Sequence, residues 1–139
     1  MAMQTTVERV EARVPITVMT LVGELDASNY LRFVDDVRDL YASGTRDLLL
    51  DLTRLGFMAS SGLVALYSVL RVMQGEEPPD PEFGWSAFHA MGDAVKEGTT
   101  QTTVQLCGVQ PAVADVLQKT GLERLFHVHE DRESAIAAF

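Results

Sequence analysis

The run Asp47-Leu48-Leu49-Leu50-Asp51-Leu52 constrains this chain more than any other feature. It is too brief for a helix of its own and is bounded by Gly44 on one side and Thr53-Arg54 on the other, which reads as a buried central strand. Ser60-Ser61-Gly62 follows, and then Leu63, Leu66, Tyr67, Leu70 and Met73 recur three or four residues apart. That spacing predicts an amphipathic helix with the serines at its N-cap. A strand, a loop and a helix in this order are the unit from which α/β domains are built.

The flanking sequence extends the pattern. Pro15 opens a β-branched stretch, ITVMTLVGELD, that predicts a strand ending at a loop before Asp26, with Val7–Val14 as its hairpin partner. Tyr30, Phe33, Val34, Val37, Leu40 and Tyr41 mark a helix between Ser28 and Ser43 that stops near Gly44. Residues 101–107, QTTVQLC, alternate as a strand with one face buried and one facing water. Pro111 opens a helix through Lys119, Gly121 is its stop, Phe126–His129 is a last strand and Arg132–Phe139 a closing helix. The order is β-β-α-β-α-β-α-β-α, and 139 residues suit a single domain. Residues 75–100 are too long for an ordinary helix-to-strand connection and read as an insertion. Phe88, Met91 and Val95, spaced like one helix face behind Ser86, predict partial order within it; Phe83, Trp85, Phe88 and Met91 either carry extra partner contacts or, as the default expectation, fold back over the domain.

Charge narrows the function. Eleven Lys and Arg stand against 20 Asp and Glu, a formal balance of -9, which repels phosphodiester backbones and anionic lipid. Direct nucleic-acid binding and a membrane partner are therefore not expected. No apolar run approaches the length of a membrane span, and the lone Cys107 allows no intrachain disulfide, so a cytoplasmic location is expected.

Few residues suggest catalysis. Met58-Ala59-Ser60-Ser61-Gly62 lacks the first glycine of a nucleophile elbow, and no histidine is positioned by spacing to act as its base. His127 and His129 with Glu130 offer too few ligands of fixed spacing for a metal centre. Cys107 reads as a small core residue. Asp51 at a strand end suggests a phosphate-accepting aspartate, but the acidic pair and late lysine that such a site needs are missing. No phosphate-binding glycine loop occurs. The expectation is a protein that is not an enzyme and that holds no metal and no cofactor.

Taken in order, Gly23-Glu24-Leu25-Asp26, Leu50-Asp51-Leu52-Thr53, Phe57-Met58-Ala59-Ser60-Ser61-Gly62-Leu63, Gly108-Val109-Gln110-Pro111-Ala112-Val113 and Thr120-Gly121-Leu122 resemble the STAS family, and within it the bacterial anti-sigma factor antagonists. The resemblance implies a small mixed β-sheet with helices mainly on one face, and no catalysis by the domain. It implies a switch serine, which maps to Ser60, phosphorylated by an anti-sigma factor that is itself a serine kinase; a serine phosphatase is a further expected partner. Asp26 matches the acidic residue of the early loop. Asp26, Met58, Ala59, Ser60, Ser61, Gly62 and Leu63 are then the expected partner-binding residues. Ala59 stands where the family often has Asp. The alternative implied by the same family is an interaction module without phosphorylation, in a stress-sensing scaffold or beside a transporter.

Overall fold

A computed structural model describes residues 3–77, 84–97 and 101–139, with the backbone alone at 84–88, 101 and 102. The elements are β1 (Gln4–Glu11), β2 (Pro15–Leu25), α1 (Tyr30–Ala42), β3 (Leu48–Met58), α2 (Ser60–Met73), α3 (Gly84–Glu97), β4 (Gln101–Cys107), α4 (Pro111–Thr120), a 3-10 turn (Leu122–Leu125), β5 (Phe126–His129) and α5 (Arg132–Ala138). The strands lie side by side in chain order; β1 runs antiparallel to β2 and the rest are parallel. Because the parallel strands advance in one direction, right-handed crossovers place α1, α2 and α4 on the same face. There Phe33, Leu66 and Val113 pack with Met19, Leu50 and Leu106 in the main core. The opposite face carries α5, whose Ala135 packs with Ile16, Val18, Leu49 and Cys107. The mixed sheet with helices mainly on one face is thus the observed architecture.

Three local departures from the sequence reading have physical causes. The central strand continues to Met58 instead of stopping at Leu52. Between Thr20↔Asp51 and Val22↔Arg54, and again between Gly23↔Leu55 and Glu24↔Phe57, β3 spends one more residue than β2. These bulges turn the inward period from two to three, so Leu52, Leu55 and Met58 all reach the main core and the alternation that marks a strand is lost. The second face of β4 is largely closed to water at its end: Gln105 is buried beside Cys107, with its Oε1 2.6 Å from His129 Nε2. The third is one of degree: the partial helical order expected in the insertion is a full helix, α3, whose Met91 is buried in the main core with Ala90, Ala94 and Val95 against it. Val95 sits so close to Gly121 that a Cβ there would lie 2.8 Å from Val95 Cγ1. Phe83 and the side chains of Trp85 and Phe88 lie outside the described residues.

One polar cluster fastens α5 to the sheet. Arg132, at the first position of α5, donates to Asp51 Oδ2 through Nε at 3.2 Å and Nη2 at 3.0 Å, to Thr20 Oγ1 at 3.0 Å and to Glu8 Oε1 at 2.7 Å. Three strands and a helix meet at one guanidinium. Asp51 Oδ1 accepts from Thr53 Oγ1 at 2.6 Å and Thr53 N–H at 3.0 Å. Burial pushes the Asp51 carboxyl up, but the Thr53 bonds and Arg132 outweigh it and hold the group below its ordinary value. Burial also pushes the Cys107 thiol up to about 12, which keeps it protonated and inert.

A depressed carboxyl contributes stability that is complete above its unfolded value, about pH 3.9, and is lost as pH falls through the folded value. Asp51→Asn is therefore expected to cost about 1–3 kcal/mol at pH 7. The deficit should shrink as denaturation midpoints of both proteins are followed below about pH 4. A deficit independent of pH over that range would show that the ionised carboxylate is not what holds α5.

Candidate functional site

The site forms where β2 and β3 end. Leu25 and Met58 are the last register partners of the two strands, so the loops that follow them leave the sheet side by side. The first is Asp26-Ala27-Ser28-Asn29 and the second is Ala59 alone. A single carbonyl ties them: Ala59 N–H donates to Leu25 O at 2.9 Å. The start of α2 is then pressed against the same residue. A Cβ on Gly62 would lie 3.1 Å from Leu25 O, 3.2 Å from Leu25 Cγ and 2.5 Å from Met58 Cγ. Only glycine lets the helix begin this close to the sheet.

Within the first loop the hydrogen bonds are local. Asp26 Oδ1 accepts from Ser28 Oγ at 2.6 Å and Ser28 N–H at 2.9 Å. These bonds hold the Asp26 carboxyl below its ordinary range, so it is ionised at neutral pH. Asn29 braces the loop, donating from Nδ2 to Glu24 O at 2.8 Å and accepting Asp26 N–H at 3.0 Å. Asn29 had no role in the sequence reading, and a lone Asn before a helix gave only a capping signal.

In the second loop, Ala59 takes the N-cap position with an extended backbone and supplies no side-chain cap. The serines therefore do not cap α2, contrary to the spacing-based expectation; they are its first two residues. The reason is that the Ala59 carbonyl, not a serine's, accepts the N–H groups of Gly62 at 2.9 Å and Leu63 at 3.3 Å. Ser60 is exposed and Ser61 half-buried. A hydroxyl at the first helical position faces water beside orphan backbone N–H groups and the positive end of the helix dipole.

Not every residue expected at the surface is there. Met58 is 2% exposed and Leu63 3%. Their side chains enter the main core, because the bulge of β3 before Phe57 turns Met58 inward and α2 buries its apolar face. They position the loop and offer no contact area to a partner. Gly62 is likewise buried. The large apolar side chain the sequence reading left out is Phe57, 47% exposed and paired in register with Glu24. Read as a strand end, a Phe gives no signal of its direction; only the bulge turns it outward.

The remaining quoted motifs are structural. Gly108, at φ +67°, packs so tightly on Thr53 that a Cβ would collide with its side chain and backbone, and Gln110 Nε2 donates to Thr53 O at 2.6 Å. They join the β4–α4 loop to β3. Gly121, at φ 76°, ends α4 in the left-handed conformation, as expected. His127 and His129 stack at 6.4 Å on β5, where His129 meets Gln105. Among the described residues, no group of three or more His, Cys, Asp or Glu could hold a metal ion, and no helix is long and apolar enough to cross a membrane.

Two substitutions test this geometry. Ala59→Asp restores a side-chain acceptor at the N-cap of α2 and is expected to raise stability by about 1 kcal/mol. Gly62→Ala forces Met58 and the Leu25 carbonyl apart and is expected to lower it by about 1–3 kcal/mol. Urea denaturation of both variants against wild type checks the signs; a neutral Gly62→Ala would show that α2 does not rest on Leu25.

Comparison with known proteins agrees with this architecture. No curated protein sequence matches the chain. Among solved structures, an anti-sigma factor antagonist from Mycobacterium paratuberculosis superposes with a TM-score of 0.70 at 18% identity, covering 99% of this chain and 93% of that one. The unphosphorylated form of the anti-sigma factor antagonist SpoIIAA gives 0.57 at 18% identity, covering 96% of each chain. The phosphorylated form of the Bacillus cell fate determinant SpoIIAA gives 0.59 at 20% identity, covering 96% of this chain and 97% of that one. These likenesses establish the fold. The family model described as the STAS domain matches residues 8–76 and 81–135, most of the sequence, and the chain belongs to that family.

Proposed function

We propose that this protein is an anti-sigma factor antagonist, which binds an anti-sigma factor with serine kinase activity, frees the sigma factor and is switched off by phosphorylation of Ser60. The observation that carries the reading is the exposure of Ser60 at the first position of α2, beside the ionised Asp26 loop and at the end of the sheet. A similar structure described as the phosphorylated form of SpoIIAA supplies the precedent within this fold. The docking surface is drawn from Asp26, Ala59, Ser60 and Ser61, with Phe57 as its apolar member, while Met58, Gly62 and Leu63 hold the loop from beneath.

The switch is electrostatic. A phosphate adds about -1.5 to -2 charge at the end of the loop that Leu25 O ties to the one carrying the ionised Asp26, on a protein whose formal balance is -9. Like charges brought together on a desolvating surface cost several kcal/mol, and about 1.4 kcal/mol is tenfold in affinity. The N-terminus of α2 favours the phosphate where it sits, so the domain need not refold to respond. The domain itself does no catalysis in this scheme; the kinase belongs to the partner, and a serine phosphatase reverses the modification.

One observation favours the other reading. Ala59 at the N-cap removes a carboxylate from the surface a kinase would meet, which suits an interaction module that is never phosphorylated, in a scaffold or beside a transporter. Incubation with the cognate kinase and ATP divides the two: a switched antagonist gains one phosphate by intact mass, lost in Ser60→Ala, and a scaffold gains none. Binding of the anti-sigma factor is expected to be at least about tenfold weaker for Ser60→Asp than for Ser60→Ala. Equal affinities would sink the charge switch.

A further inference from the structure

The sheet ends on one side at β5, and this edge is built differently from the one at β1. The β1 edge carries Glu8, Arg9 and Glu11, charges of both signs that discourage pairing with another chain. β5 is Phe126-His127-Val128-His129, with β4 on one side and, among the described residues, no strand on the other. His129 O accepts Gly108 N–H at 3.1 Å and so faces β4. Backbone groups of successive strand residues point to alternate sides, so the N–H and C=O of Val128 face the open edge. The Val128 side chain is 47% exposed.

Beside this edge lies a groove of about 350 Å³, reaching to α4. Val109, Ala114, Leu117 and Val128 supply its apolar lining, and Glu123 and Glu130 its charge; no Lys or Arg lines it among the described residues. Lys119, two residues beyond Leu117 on α4, pairs with Asp115 at 2.9 Å. An open backbone edge, an apolar trough along it and carboxylates of one sign together describe a receptor for an extended segment that alternates apolar and cationic side chains.

We propose that a basic, β-forming segment of a protein partner adds as a strand to β5, pairing with Val128 and placing its Lys or Arg side chains against Glu123 and Glu130. The surface is independent of the Ser60 reading: β4 lies between β5 and the strands that end at that site, and it needs no phosphate. A chain of formal charge -9 attracts any cation at long range, so charge alone does not specify the segment. The backbone hydrogen bonds to Val128 and the apolar trough do.

The test uses the full chain, a short capped peptide of alternating valine and lysine, and its valine–glutamate counterpart. Amide shifts in a two-dimensional ¹H–¹⁵N spectrum are expected to move at Phe126–Glu130 on adding the lysine peptide and to stay still with the glutamate peptide. By fluorescence polarisation, Glu123→Lys with Glu130→Lys should weaken binding about tenfold. Asp35→Lys with Asp39→Lys, the same change of net charge on the exposed side of α1, should leave it within about twofold. Val128→Pro removes the outward N–H without touching the β4–β5 ladder and should abolish the shifts; if that variant does not fold, the two charge reversals decide. Equal weakening by both reversals, shifts away from β5, or no binding of the lysine peptide overturns the proposal.

Discussion

The carbonyl of Leu25 is the point on which the candidate site depends. It ends β2, accepts the N–H of Ala59 from the end of β3, and lies against the one residue of α2 that has no side chain. A parallel strand pair and a helix start are thereby held within van der Waals distance of one atom. Everything functional at this end follows from that closeness. The Asp26 loop and the first turn of α2 leave the sheet together, and a hydroxyl at position 60 is lifted into water without losing its rigid footing.

The rest of the domain keeps that junction from moving. Gly108 and Gln110 lock the β4–α4 loop to Thr53 of β3, and Thr53 in turn bonds Asp51. Asp51 receives Arg132 from α5, and Arg132 reaches on to β2 and β1. The bonds therefore form a chain across the sheet, on the face opposite the crossover helices. The short motifs that first suggested the family separate into two physical classes. Those around Leu25 and Ser60 build a surface, and those around Asp51, Thr53 and Gly108 brace the strands behind it.

Charge is distributed with the same division. The excess of carboxylates is carried mostly on exposed positions, where it sets long-range repulsion and costs little. Asp26 and Asp51 are both held below their ordinary range by nearby donors, a serine in one case and a threonine with an arginine in the other. Asp26 spends its charge at the surface of the site, and Asp51 spends its charge on cohesion.

Much of this was legible in the residues alone. The central leucine run, the helical spacing of Leu63 to Met73, the Pro111 start and the Gly121 stop are local signals, set by chain geometry and by which side chains avoid water, and each marks an element that is present, although β3 runs on to Met58 and α2 is capped by Ala59. The same is true of Ser60 as the first polar group of α2. What depended on tertiary structure was direction. Whether Met58 points inward and Phe57 outward is decided by two bulges in β3, which arise from pairing with β2 and leave no periodic mark in the sequence. The insertion's helix is docked by Met91 and Val95 on apolar surface contributed from far along the chain, and Gln105 is buried by neighbours on β5. Sequence specifies what each segment is, because propensity and periodicity act over a few residues; exposure is a property of the assembled layers, so only the packed structure could say which residues of the site a partner can touch.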